Sequence, residues 1–168
     1  MPLPHDELST LMKRLAHRQR VYVRSGRLPS TTGGATGVRA AVAAEVHILL
    51  RQLWKDWQQY ASDPAGPASA QQVEAALEPF TAERAADLMG RLATECLVWP
   101  GARFMERAEA DTVARRVAEL LGPDTRWWSN LDPELESCWS GVSACTFDMF
   151  VAGTDGTRFV ALIQVGED

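Results

Sequence analysis

Asp148 is the residue of this chain best placed to do acid–base chemistry. It is the one carboxylate in an apolar run, "TFDMFVAG" over residues 146 to 153, flanked by Phe147 and Met149. Removing a carboxylate from water raises its pKa toward the range of a general acid or base, unless hydrogen-bond donors or a cation compensate. No histidine lies near it in sequence, so catalysis there needs a distant partner. The alternative is a structural aspartate, held by indole or hydroxyl donors or left in solvent.

A second constellation precedes it. The stretch "WWSNLDPELESCW" places Trp127, Trp128 and Trp139, half of the six tryptophans, around Asp132, Glu134 and Glu136. Tryptophan offers a large rigid surface that desolvates at low entropic cost, and acids around it select a basic partner. The competing reading sends Trp127 and Trp139 into the core, lets Trp128 cover a strand edge and makes Asp132-Pro133-Glu134 an ordinary turn. Three tryptophans on a short irregular segment are not expected to be buried together.

Other chemistry is weaker. Gly33, Gly34 and Gly37 precede a helix start, where free N–H groups and Arg39 could hold an anion. The segment has no GK[ST] ending and no preceding predicted strand, so it fails the nucleotide-loop test and reads as a flexible linker. Ser140 and Ser143 in "WSGVSAC" form no GxSxG elbow. His5, His17 and His47 are scattered without HxxxH or HxH spacing, and Cys96, Cys138 and Cys145 form no CxxC, so neither a metal site nor a disulfide framework is expected. No cofactor is implied.

Charge is unevenly spread. Residues 1 to 60 hold nine basic and four acidic side chains, whereas residues 61 to 168 hold eight and eighteen. The acidic part disfavours general nucleic-acid binding and suits a basic protein partner. Lys13, Arg14, Arg18, Arg20, Arg24 and Arg27 form a basic stripe that could track phosphates, or pair with the acidic remainder of the same chain. The N-terminus lacks a basic segment followed by an apolar one, and no run of 18 apolar residues occurs, so a cytoplasmic, non-membrane protein is expected. Self-association is compatible with all of this.

The elements that must position these residues follow from periodicity. Leu8, Leu11, Met12 and Leu15 mark an amphipathic helix from Asp6 to about Gln19, and the Gly/Pro/Ser/Thr-rich residues 25 to 37 mark a loop that tethers it loosely. Val42, Val46, Leu49, Leu50, Leu53, Trp57 and Tyr60 stripe a long helix over 38 to 60. Ser69 and Gln72 resemble a capping box, Thr81 caps the next helix, and Gly122-Pro123 stops another over 106 to 121. After Pro123 the pattern becomes aromatic and β-branched. Asp155-Gly156 between two apolar runs predicts a hairpin over 146 to 165 with a two-residue type I′ turn, pairing Thr154 with Thr157 and Met149 with Leu162. A third strand is expected from 125 to 129 or 137 to 145.

These signals predict an α+β fold: a single domain over residues 1–168, with about five N-terminal helices packed on a small C-terminal antiparallel sheet. Within it, 1–24 form the basic helix, 38–122 the helical part and 125–168 the sheet part. The leading functional expectation is a non-enzymatic cytoplasmic protein-binding module of immunity or inhibitor type, using the acidic tryptophan-rich surface. The alternatives are a small enzyme or ligand binder with a helix–sheet pocket around Asp148, and nucleic-acid association through the basic N-terminal helix.

Overall fold

The computed structural model describes residues 4–29, 34–135 and 138–168. Along these the chain forms α1 (Pro4–Leu15), β1 (Val21–Arg27), α2 (Gly34–Trp57), α3 (Ala70–Ala76), β2 (Glu78–Phe80), α4 (Ala82–Thr94), α5 (Arg107–Leu121), β3 (Arg126–Ser129), β4 (Phe147–Thr154) and β5 (Arg158–Gly166). β4 and β5 are buried along their whole length apart from their first residues. A strand pair apolar on both faces must be covered on both. Met149, Val151, Val160 and Leu162 therefore pack with α1, α4 and α5, while Phe150, Ala152, Ala161, Ile163 and Val165 pack with α2 and α3.

The fold is α+β, with a five-stranded antiparallel sheet in the order β1-β5-β4-β3-β2. The expected split into N-terminal helices and a C-terminal sheet does not hold. β1 lies near the N-terminus, β2 lies between α3 and α4, and α4 and α5 lie between β2 and β3. The first helix is also shorter than its apolar period suggested. After Leu15 the chain turns, with Gln19 at φ 63°, and His17 and Val21 exchange backbone hydrogen bonds. Val21, Tyr22 and Val23 are β-branched and aromatic residues suited to a pleated surface. They pair with Gln164, Ile163 and Leu162 of β5.

α1 is consequently not a loose attachment, since Leu8, Leu11, Met12 and Leu15 are buried against α5 and β1. Of the loop expected over 25 to 37, residues 25 to 27 belong to β1 and 34 to 37 to α2. The third strand is found at 126–129, and the described residues of 137 to 145 stay irregular.

Local signals elsewhere match the structure. Ser69 and Gln72 form the reciprocal capping box of α3, the Thr81 side chain accepts from the Arg84 N–H at the start of α4, and Gly122 ends α5 at φ 90°. α2 stops at Trp57, so Tyr60 leaves the helical stripe and is 64% exposed.

The hairpin is present with a different register. Thr154 pairs with Phe159, Met149 with Gln164 and Val151 with Leu162, two residues from the two-residue-turn expectation. The cause lies in the turn's side chains. Asp155 Oδ1 accepts from the N–H groups of Thr157 and Arg158, Asp155 Oδ2 pairs with the Arg158 guanidinium at 3.0 Å, and Gly156 sits at φ 95°. This side-chain-closed turn takes in two more residues. An even shift keeps every side chain on its expected face, so the core pattern survives.

Across β3 and β4, Trp127 pairs with Gly153, and its indole ring lies over the glycine so closely that a Cβ there would stand 2.3 Å from ring carbon. Overfilling a close-packed core costs about 1–3 kcal/mol. Gly153→Ala is expected to lower stability by that amount, read as a fall in the urea unfolding midpoint with an unchanged slope.

Candidate functional site

β3 runs into Asn130 and β4 begins just before Asp148, so the long connection 131–146 leaves and re-enters the sheet between two neighbouring strands. Its described residues form one isolated bridge, Leu131 with Trp139, and buried side chains do much of the rest of the holding. Asp148 is fully buried. Its carboxylate accepts from Asn130 Nδ2 at 2.9 Å, from the Val142 N–H at 3.0 Å, and from the Ser143 N–H and Oγ at 2.9 and 2.7 Å. Ser143 Oγ in turn accepts from the Cys145 N–H, and Asn130 Oδ1 accepts from the Phe150 N–H. Burial pushes the Asp148 pKa up, and the donors from Ser143, Val142 and Asn130 pull against it without cancelling it.

Asp148 is buried and hydrogen-bonded, as the structural one of the two readings required, and its donors are a serine, an asparagine and backbone N–H groups rather than the expected indole or threonine hydroxyls. Its oxygens are turned onto the chain that it folds. Asn130 and Ser143 carry this arrangement and were not picked out by periodicity, because they sit in segments without any.

In front of this knot lies an open cleft of about 690 Å³. One wall is the 62–68 loop with Gln72 and Ala76 of α3, and the other is Ser140, Gly141, Val142, Ala144 and Cys145. The walls are stitched together: the Ala68 N–H donates to the Val142 carbonyl at 2.8 Å, and the Asp63 N–H donates to the Ala144 carbonyl at 3.1 Å. Ala144 sits at φ 74°, a left-handed conformation that costs a residue bearing a Cβ about 1 kcal/mol. Glu167 clamps the 62–68 loop to the end of the connection by accepting from the N–H groups of Ser62 and Thr146 and from the Thr146 hydroxyl. Burial raises the Cys145 thiol to about 11, so it is a neutral thiol and a poor nucleophile at pH 7.

The acidic tryptophan segment divides across this region. Trp127 and Trp128 are 2% and 3% exposed, in the cores on opposite faces of the sheet, which removes them from the expected partner surface. Trp139 is 36% exposed and stacks on Phe147 with ring centroids 6.3 Å apart. Leu135, on the same loop, is 58% exposed, and Glu134 is exposed. Asp132 makes the turn, its Oδ1 accepting from the Glu134 and Leu135 N–H groups. Glu136 lies outside the described residues.

The suggested anion loop is described only in part. Gly33 lies outside the described residues, and Gly34 and Gly37 fall within α2. The Arg39 guanidinium donates to the carbonyls of Glu74 and Leu77, closing the end of α3 rather than facing a ligand. Of the basic stripe, Arg14 pairs with Glu109 and Arg24 with Glu45. His17 stacks on Phe104, and His47 Nδ1 lies 2.9 Å from the Ala68 carbonyl. Among the described residues no group of three His, Cys, Asp or Glu side chains could hold a metal ion.

Two predictions test the knot and the clamp. Asp148→Asn sets an amide against donors that require an acceptor, and an unsatisfied buried donor costs about 1–3 kcal/mol. It should lower the melting temperature and raise amide exchange at Val142 and Ser143 while Thr81 and Ser69 keep their caps.

At Glu167, burial raises the pKa, but the hydroxyl and N–H donors of Thr146 and Ser62 outweigh it and hold the carboxyl below its ordinary 4.5. A depressed folded-state pKa gives stability that is complete above the unfolded value and is lost as pH falls through the folded one. Glu167→Gln should therefore flatten the loss of stability below about pH 4.5, as measured by thermal melts across pH. Asp148, with its raised pKa, contributes in the opposite sense and is left intact in that variant.

No model of a known protein family, no curated protein and no solved structure matches the chain.

Proposed function

We propose that this protein is a non-enzymatic protein-binding module whose binding surface is the exposed part of the 131–147 connection together with the adjoining cleft, and that its partner is a basic protein. The observation that carries this reading is the Trp139–Phe147 stack, exposed on its Trp139 side, on the same connection that exposes Leu135. A preorganised aromatic pair loses little entropy on binding, and such residues supply most interface energy.

Charge and chemistry favour the same reading. Glu134 is exposed and precedes Leu135 in the chain, Asp63 lines the cleft, and no Lys, Arg or His is among the cleft's lining residues. The Cys145 thiol is held neutral and Asp148 is sealed behind the wall, so the lining offers hydrogen bonding to a chain rather than a nucleophile with its base. Within this class, masking of a basic toxin or regulated enzyme, the role of an immunity or inhibitor protein, fits a small acidic module best.

The test is co-purification from the native source with wild type and with a Trp139→Ala plus Glu134→Lys double variant. A stoichiometric basic partner is expected with wild type, lost by at least about tenfold in affinity with the variant, which corresponds to about 1.4 kcal/mol. Glu134 is on the surface and Trp139 is partly exposed, so the fold should be retained, as checked by circular dichroism. The inhibitor role further requires that added protein suppress the partner's own activity. Emergence of the protein alone, or equal capture by the variant, overturns the reading.

A further inference from the structure

β1 is an edge strand, and its backbone pairing can be followed residue by residue. The Val165 N–H donates to the Arg20 carbonyl and the Leu28 N–H donates to the Thr157 carbonyl, on the same register as the pairs from Val21–Gln164 to Arg27–Arg158. In an antiparallel ladder the hydrogen-bonded pairs alternate, so positions 20, 22, 24, 26 and 28 turn their N–H and C=O groups toward β5. Val21, Val23, Ser25 and Arg27 turn theirs outward. Val21 is satisfied by His17, with bonds of 2.9 and 3.1 Å. The outward groups of Val23, Ser25 and Arg27 have no partner among the described residues.

This open edge is the floor of a groove. Ser9, Met12 and Lys13 of α1 stand on one side, Gln52 of α2 stands on the other, and the open groove has a volume of about 210 Å³. The groove is basic. Lys13 in its lining and Arg27 at the end of β1 have no acidic partner among the described residues, Arg24 is neutralised by Glu45, and no acid is among the lining residues. The other edge of the sheet is built differently, since β2 has three residues and places Pro79 in the strand, a usual protection against strand pairing.

We propose that the outer edge of β1 is a docking site for an extended acidic segment of a partner protein, which adds to the sheet as a further antiparallel or parallel strand. Main-chain bonds to Val23, Ser25 and Arg27 supply affinity, and Lys13 and Arg27 select acidic side chains. A second copy of this chain fits poorly, because pairing β1 with β1 sets one basic edge against another. The site lies on a different strand from the Trp139 surface and is independent of it.

The experiment uses the full chain and a fluorescent peptide of alternating Glu and Val, with a peptide of alternating Lys and Val as control. The acidic peptide is expected to bind and to slow amide exchange at Val23, Ser25 and Arg27, and the basic one to bind at least about tenfold more weakly. Ser25→Pro removes one outward N–H and leaves the β1–β5 ladder intact, so it should weaken binding about tenfold or more with the circular dichroism spectrum retained. Lys13→Glu with Arg27→Glu, which touches no backbone bond, should reverse the peptide preference.

Equal binding of both peptides, no binding of the acidic one, or a reversed-charge variant with unchanged preference overturns the proposal. So does protection of the same three amides by self-association without peptide, or by an oligonucleotide in place of the peptide. Trp139→Ala with Glu134→Lys should leave peptide binding unaltered, which separates failure here from failure of the Trp139 surface.

Discussion

The structure depends on the need to dry both faces of β4 and β5. Side chains on alternate positions of these strands are apolar toward each side, and neither side can face water without exposing a sheet's worth of Val, Phe, Leu and Ile. Helices must therefore lie on both faces, and the chain supplies them from both ends of its helical part. α1, α4 and α5 cover one side, and α2 and α3 the other. β1 adds beside β5, β3 beside β4 and β2 beside β3, which completes the five-stranded order around the central pair.

A dry centre makes each polar group inside it consequential. Three polar side chains there serve as connectors for segments that lack ladders of their own. Asp148 folds residues 141 to 143 back onto the strand, and Asn130 links the β4 backbone to Ser140. Gln164 reaches the other face, where its amide donates to the Leu92 and Glu95 carbonyls and accepts from the Leu97 N–H, ending α4 and starting the loop beyond it. In each case the low dielectric that makes an unpaired polar atom costly is what fixes the loop in one conformation.

Surface charge is redistributed by the fold. The basic N-terminal stretch meets the acidic remainder in Arg14–Glu109 and is neutralised within its own part by Arg24–Glu45, while Arg116 on α5 reaches back to Glu7 on α1. Exposed pairs of this kind add little stability. Their effect is to subtract charge from the outer surface, leaving Lys13 and Arg27 along the β1 edge, with Glu134 and Asp63 near the 131–147 connection.

The sequence by itself determined what is local. Ser69 with Gln72, Thr81 and Gly122 mark helix ends because caps act within one turn, and the apolar stripes of α1 and α2 mark faces because 3.6-residue periodicity needs no distant partner. The α+β class and the apolar faces of the hairpin were legible for the same reason. Tertiary structure alone decided what depends on distant partners. The helix-like pattern running past Leu15 yields to β1, which exists because β5 is there to pair with it, and the turn register was set by Asp155 reaching Arg158. Trp127 and Trp128 are adjacent on a strand and so enter opposite cores, whereas Trp139, tied to the irregular connection, reaches the surface. Asp148 could be marked in sequence as unusual, but whether it would meet solvent or donors depended on Asn130 and Ser143. Side-chain contacts that close over unstructured chain leave no period behind, and such contacts are what place this site.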